Sequence, residues 1–372
     1  MGTLVYPECM IHDRIDPDKL KMFSFVLYSQ LSGAVTAGMV HLGDRLGIYR
    51  AMAQAPTAMT STQIAASCGL HERWVREWVS NQVAARLVEA DHADPRQPTF
   101  SLSPEARAVL ADGDHPAFGM GMFHRLPATM ERLTELPSCF ESGLGFDYDA
   151  HGHDGAVGIE RSFEPWSNAN LVPTVLPAIG GVVAALERGI EVADIGCGAG
   201  SAVCTMAAAF PASRFTGFDI SHHALAIARD KASSRALKNV RFVDVREEPI
   251  PGDARFGFVT TFDCIHDMTR PREMVSVIRR SLADDGVWLL VDIKALETLE
   301  QNVAKNPMAA LMYGISVMSC MASAMSEDGG EGLGTLGFPA STAESYARDA
   351  GFTSFRTLAI EHSVNAFYEI RP

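Results

Sequence analysis

The chain has 372 residues, 47% of them hydrophobic and 20% charged, enough for two packed domains. Its formal net charge of −14 is the opposite of what a phosphate-backbone binder carries and argues against a nucleic-acid substrate. Seven scattered cysteines, Cys9, Cys68, Cys139, Cys197, Cys204, Cys264 and Cys320, form no C-x-x-C pair, which excludes a disulfide framework or zinc-ligand spacing and fits reduced thiols in the cytoplasm.

The N-terminus shows no basic stretch followed by an apolar one, so no signal peptide is expected. Lys21–Ala53 reads as one or two apolar helices. Thr60-Ser61 can cap a short helix, TQIAASC, which Gly69 ends. His71–Leu87 reads as the next helix, with Trp74, Val75, Trp78, Val79, Val83 and Leu87 on one face. VEADHADPRQPTFSLS then reads as two extended runs flanking a turn with Pro95 and Pro98. Three helices and a two-stranded wing are the order of a winged helix, which raises DNA binding. The second helix, however, sets Glu72 and Glu77 against Arg73 and Arg76. A dimerisation or substrate-capping module is therefore favoured.

Residues 138–170 are poor in pattern. SGLGFDYDAHGHDGAVG reads as a loop and a candidate lid. Its His151, His153, Asp147, Asp149 and Asp154 match no metal-site spacing. From about residue 170, apolar runs alternate with helical stretches, as in βαβ units over a parallel sheet.

The strongest signal is EVADIGCGAGSAVCTMAAAFP: an apolar strand, Ile190–Ile195, then Asp194-x-Gly196-x-Gly198-x-Gly200, then a helix from about Ser201 to Phe210. Glycines at a strand's carboxyl end let a ligand approach the backbone, and the helix presents amide donors. The spacing is G-x-G-x-G after an acid, not the G-x-G-x-x-G of dinucleotide sites. This suits a ligand with an ammonium and no pyrophosphate, such as S-adenosylmethionine (SAM). RFTGFDIS ends a second strand at Asp219-Ile220, about twenty residues on, where an acid accepts from ribose hydroxyls. NVRFVDVREEPIP ends a third at Asp244-Val245, placed to meet an adenine amine and ring. RFGFVTTFDCIHDM ends a fourth strand with Phe262, Asp263, His266 and Asp267 toward the methyl group. A hydroxyl acceptor must lose its proton near attack, which suits His266, with Asp267 as its orienting acid.

Asp194-Ile195-Gly196-Cys197-Gly198-Ala199-Gly200, Asp219 and Asp244, in that order, resemble the cofactor motifs of class I SAM-dependent methyltransferases from about residue 170 to 372. The resemblance implies a Rossmann-like α/β fold with a seven-stranded sheet and reversed last strand. FTSFRTLAI and SVNAFYEIR read as the closing hairpin. Cys264-Ile265-His266-Asp267-Met268 is similar to the His-Asp motif of plant-type O-methyltransferases, which join an N-terminal winged-helix dimerisation domain to such a fold, with Met268 where a tryptophan often stands. The overall order is similar to bacterial winged-helix small-molecule methyltransferases. The resemblance implies a homodimer, His266 as general base and a small-molecule acceptor, with no membrane, nucleic-acid or metal partner.

GVWLLVDI is the fifth strand, and residues 296–335 then interrupt the regular pattern with Met308, Met312, Met318, Met321 and Met325. The apolar run Met308–Met325 is broken by Gly314, Ser316, Ser319 and Ser323, unlike a membrane span. The methionines suit core, dimer contact or a flexible wall over the acceptor. Tyr148, Phe163, Trp166 and Tyr313 are candidate pocket residues by position. The expected organisation is a helical winged-helix module over 1–135, a linker and lid over 136–170, and a catalytic domain over 171–372 with an insertion at about 296–335. Alternatives are methylation of a thioether or amine without a base, and a SAM-sensing DNA-binding regulator. FDCIHD lacks an N-P-P-Y-type signature of RNA or protein methylation.

Overall fold

The computed structural model describes residues 15–372; residues 1–14, Cys9 among them, lie outside the described part. Helices α1 (Pro17–Arg45), α2 (Ile48–Gln54), α3 (Ser61–Cys68) and α4 (Glu72–Ala84) precede the wing strands β1 (Glu89–Asp91) and β2 (Thr99–Ser101). Asp16 caps α1 through the amides of Asp18 and Lys19. Thr60 and Gln63 form a capping box on α3, and Gly69 closes that helix in the left-handed conformation. On α4, Val75, Trp78 and Val79 enter a core with Val40, Tyr49, Ile64 and Phe100. Trp74, expected on that face, is 79% exposed, because its position falls outside the stripe that meets α1–α3.

Much of α1 is exposed, Leu20, Phe23, Leu27, Tyr28 and Leu31 included. The helix is long and apolar enough, by length and composition, to cross a membrane. Its last turns are anchored, with Asp44 buried and paired to Arg161 at 2.7 Å.

Helices α5 (Pro104–Leu110), α6 (Met120–Glu131), α7 (Leu136–Ser142) and α8 (Gly152–Asn170) follow. Residues 142–158, expected as a loop, instead hold a helical turn over Tyr148–His151 and the start of α8. Packing overrides local glycine content here: α6 and α8 cross so closely that a Cβ on Gly121 would collide with Ser162 Oγ and Gly158 O. Lys231, on the helix His222–Ser234, pairs with Glu160 and Glu164 of α8.

The remaining elements are α9 (Val182–Arg188), β3 (Glu191–Ile195), α10 (Ser201–Ala209), β4 (Arg214–Asp219), α11 (His222–Ser234), β5 (Val240–Asp244), β6 (Phe256–Phe262), α12 (Pro271–Ser281), β7 (Leu282–Ile293), α13 (Leu299–Lys305), α14 (Ala309–Met318), α15 (Cys320–Ala324), α16 (Ala340–Asp349), β8 (Ser354–Thr357) and β9 (Asn365–Arg371). The sheet order is β5-β4-β3-β6-β7-β9-β8. β9 runs antiparallel to β7 and pairs with β8 as the expected hairpin. Apolar cores cover both faces. The parallel strands therefore deliver Ile195, Asp219, Asp244, Phe262 and Ile293 to one edge, where ligands bind in open α/β sheets. The apolar run Met308–Met325 folds as α14 and α15 near that edge.

Candidate active site

The cradle is built from backbone first. β3 runs into the glycine turn, where the amides of Gly196 and Cys197 donate to Phe218 O at 2.8 and 3.0 Å. Gly196 and Gly198 have φ of +69° and +52°, which only glycine adopts without strain. A Cβ on Gly196 would meet Cys264 Sγ at 2.6 Å, whereas Gly198 faces open space. The Gly198 amide donates to Asp219 Oδ2 at 2.7 Å, and the Ser221 amide to Oδ1 at 2.8 Å. Asp219 thus ties the turn to the tip of β4. Each of its oxygens still has acceptor capacity for a ribose hydroxyl. Burial raises the Asp219 carboxyl above its ordinary value, against the pull of those amides.

Asp194 is wholly buried beneath the turn. Thr260 Oγ1 donates to its Oδ1 at 2.6 Å, while Oδ2 has no donor, and burial lifts its pKa to about 7. Asp244 faces Asp219 in register and is held by Arg246 at 2.7 and 2.9 Å; that hydrogen bonding lowers its pKa. An adenine amine would share this carboxylate with Arg246. Ile220 is 39% exposed beside the turn, and Val245 packs against the sheet core.

A small cavity lies in front of Gly198, lined by Tyr148, His151, Gly155, Ile159, Ala199 and Ser221. The turn over 148–151 and α8 are therefore its outer wall. His151, read from sequence as part of a solvated loop, is buried and shares a hydrogen bond with Ser319 Oγ at 3.2 Å. Burial, then Arg125 and Arg132, hold its pKa down at about 4. The open space at Gly198, the paired amides on Asp219 and the unmet Asp194 oxygen fit SAM: residues 194–200 would hold its amino-acid end, Asp219 its ribose and Asp244-Val245 its adenine.

Beyond β6, His266 is 2% exposed, with Nδ1 2.6 Å from Asp292 Oδ1. The acid bonded to His266 Nδ1 is Asp292 at the tip of β7, where Asp267 was expected. The register explains it, because Phe262 pairs with Val291 and so sets Asp292 beside the segment after β6. Burial pushes the His266 imidazole down, but Asp292 and Cys320 outweigh it and hold the pKa well above the ordinary value. Donor atoms of His266, Asp267 and Cys320 lie within 4.8 Å of one another. Asp267 is pushed up to about 7 by burial, with His266 opposing and Asp292 and Asp219 adding.

Asp263, expected at the cofactor, has φ +48° and is bonded to Asn365 Nδ2, which ties it to β9. Phe262 packs against the sheet core. Of the four candidate pocket residues only Tyr148 lines the cavity. Trp166 packs on His362 and Phe367, Tyr313 is 36% exposed on α14, and Phe163 lies on α8 outside the lining set. Sequence reasoning missed Asp292, Arg125 and Cys320. Asp292 carried a usable signal, an acid at a strand end like the other three; the other two carried none without the packing.

Residues 186–334 match the methyltransferase domain family, and residues 34–112 match the Rv2258c-like winged HTH domain. A stretch of 114 residues is 35% identical to polyketide synthase ThaQ of Burkholderia thailandensis, covering 29% of this chain and only 5% of that protein. The fold is similar to that of human N-acetylserotonin methyltransferase in complex with SAM, at TM-score 0.69 and 14% identity over 96% of this chain and 99% of that one. It is similar also to a putative O-methyltransferase from Nostoc punctiforme (TM-score 0.70, 15% identity, 96% and 100% covered). An O-methyltransferase family protein from Burkholderia thailandensis gives TM-score 0.65 and 15% identity, with 95% and 97% covered. The two domain matches set a methyltransferase domain over the cradle at the sheet edge, behind an Rv2258c-like winged helix-turn-helix domain.

Proposed function

We propose that the chain methylates the hydroxyl of a small-molecule acceptor, with His266 as general base. Bound SAM supplies an electrophilic methyl on a sulfonium. The observation that carries the reading is the buried His266 Nδ1–Asp292 pair at 2.6 Å. It fixes the ring and leaves Nε2 as the nitrogen that acts as base, with Cys320 beside the ring. Neutral His266 takes the acceptor's proton at Nε2 as the oxygen attacks, and Asp292 stabilises the imidazolium that forms. The turn over 148–151 and α8, within the proposed lid 136–170, keep water from that transfer. Relatives of the same fold that are described as O-methyltransferases support the choice of oxygen.

His266→Ala is expected to lower turnover about 10²-fold or more with S-adenosylhomocysteine binding unchanged, and mass spectrometry is expected to identify an O-methyl product. A near-normal rate would point instead to a thioether or amine acceptor that reacts through positioning alone.

A homodimer joined through the N-terminal module is part of the same reading, supported by the exposed apolar length of α1. DNA binding finds no support in α4, where Arg73–Glu77 and Arg76–Glu72 neutralise one another.

A further inference from the structure

Three different metal-binding side chains meet beyond the end of β6. His266 and Asp267 lie on the helical turn Ile265–Asp267, and Cys320 is the first residue of α15. One imidazole nitrogen, one carboxylate oxygen and the thiol sulfur all lie within 4.8 Å of one another. His266 is buried and the other two are half-buried, so this is not a solvated surface cluster. The proposed methyl transfer uses neither Asp267 nor Cys320.

The surroundings turn the juxtaposition into a ligand set. Asp292 Oδ1 holds His266 Nδ1 at 2.6 Å, which leaves Nε2 as the nitrogen offered to the cluster. A carboxylate behind a histidine is how metal sites fix the ring of a ligating imidazole. The start of α15 is fixed too, because buried Ser319 shares a hydrogen bond from its Oγ with His151 at 3.2 Å. Charge balances as well: a thiolate and a carboxylate cancel the charge of a divalent ion, so the loaded site buries no net charge. Ligand atoms on a tetrahedral zinc ion stand about 3.5 Å apart, so closing this set on an ion asks for about 1 Å of side-chain movement.

We propose that His266 Nε2, Asp267 and Cys320 Sγ bind one divalent cation of the zinc type, with Asp292 supporting His266 from behind. A nitrogen, sulfur and oxygen set selects a borderline cation such as Zn²⁺ over Mg²⁺ or Ca²⁺, which take oxygen ligands. Three protein ligands leave a fourth position to water or another small ligand. Binding releases the thiol proton to solvent. The site does not rest on His266 acting as base. Under that reading, the ion and the acceptor's proton compete for Nε2, so the metal is an inhibitor. No spacing rule encodes the set, because Cys320 comes from a separate helix.

The test uses the full chain, stripped with EDTA, desalted and kept reduced with a phosphine. Titration with Co²⁺, which reports zinc-type sites by absorption, is expected to saturate at one equivalent. It should give a thiolate-to-cobalt band in the near ultraviolet and the visible bands of a four-coordinate ion. One equivalent of Zn²⁺ should bleach both, whereas excess Mg²⁺ should not. Cys320→Ser is expected to abolish the near-ultraviolet band, and Asp267→Asn to weaken Co²⁺ binding about ten-fold or more. Cys139→Ser, which removes a thiol elsewhere, should change neither. Zn²⁺ should also slow alkylation of Cys320 by iodoacetamide, read by peptide mass spectrometry. Circular dichroism checks that each variant is folded. No near-ultraviolet band, or one that survives Cys320→Ser, would overturn the site, as would a Co²⁺ affinity unmoved by Asp267→Asn. Should Cys320→Ser fail to fold, the alkylation of wild-type Cys320 decides, and a rate unchanged by Zn²⁺ overturns the site. A site that loads as expected while turnover is unaffected would remove His266 as base and leave the metal assignment standing.

Discussion

His266 holds its proton more firmly than a free imidazole, because Asp292 lies against Nδ1 and outweighs the effect of burial. Its base form therefore appears only toward higher pH. The expected pH profile of kcat/KM rises on the alkaline side of neutrality, and Asp292→Asn, which removes the counter-charge, should move that rise to lower pH. The stability linkage has a matching sign. A histidine whose pKa is raised by folding stabilises fully below its unfolded value of about 6.5 and loses that contribution as pH rises through the folded value. A rate profile unmoved by Asp292→Asn would remove Asp292 as the orienting acid. At the cofactor end, Asp219→Ala should weaken SAM binding by about 1–3 kcal/mol, since ribose hydroxyls lose their acceptor; calorimetry reads this directly. The residues legible in sequence were those whose role is local to a strand tip, namely Gly196, Gly198, Asp219 and His266. Asp292 stands 26 positions from His266. Only the pairing of β6 with β7 brings the two together, and no spacing rule encodes that pairing.

At the scale of elements, α8 shows where pattern reading stopped. Its first turns carry Gly152, Gly155 and Gly158, residues that weaken an isolated helix by roughly 1 kcal/mol each. At Gly158 α6 approaches so closely that a Cβ would meet Arg125 and Gly121. Gly121→Ala should therefore destabilise by about 1–3 kcal/mol through overpacking, read as a lowered Tm. Wild-type stability in that variant would mean that α6 and α8 are more loosely packed than described. The turn holding Tyr148 and His151 lies against Gly198 and Ala199, so the cavity's outer wall was invisible to a reading that took residues 142–158 as loop. The capped helix α3, by contrast, was legible to its last residue, because Thr60 and Gly69 each act on the backbone within a turn of their own position.

At the scale of the molecule, the succession of strands along the chain was legible because three motifs of one kind recur, each closing an apolar run, whereas the order β5-β4-β3-β6-β7-β9-β8 is seen only in the fold. The exposed stripe on α1 calls for a partner. Light scattering is expected to give about twice 40.2 kDa for the wild type, and Phe23→Glu combined with Leu27→Glu should return the monomer. A wild-type monomer, or retention on lipid vesicles instead, would contradict the dimer. The account as a whole stands on the cradle formed by Gly196–Gly200, Asp219 and Asp244. The most direct measurement is calorimetric titration of the purified full chain with S-adenosylhomocysteine. One equivalent bound per chain, weakened in Asp219→Ala, is the predicted result. No binding by the folded wild-type chain would contradict the central claim.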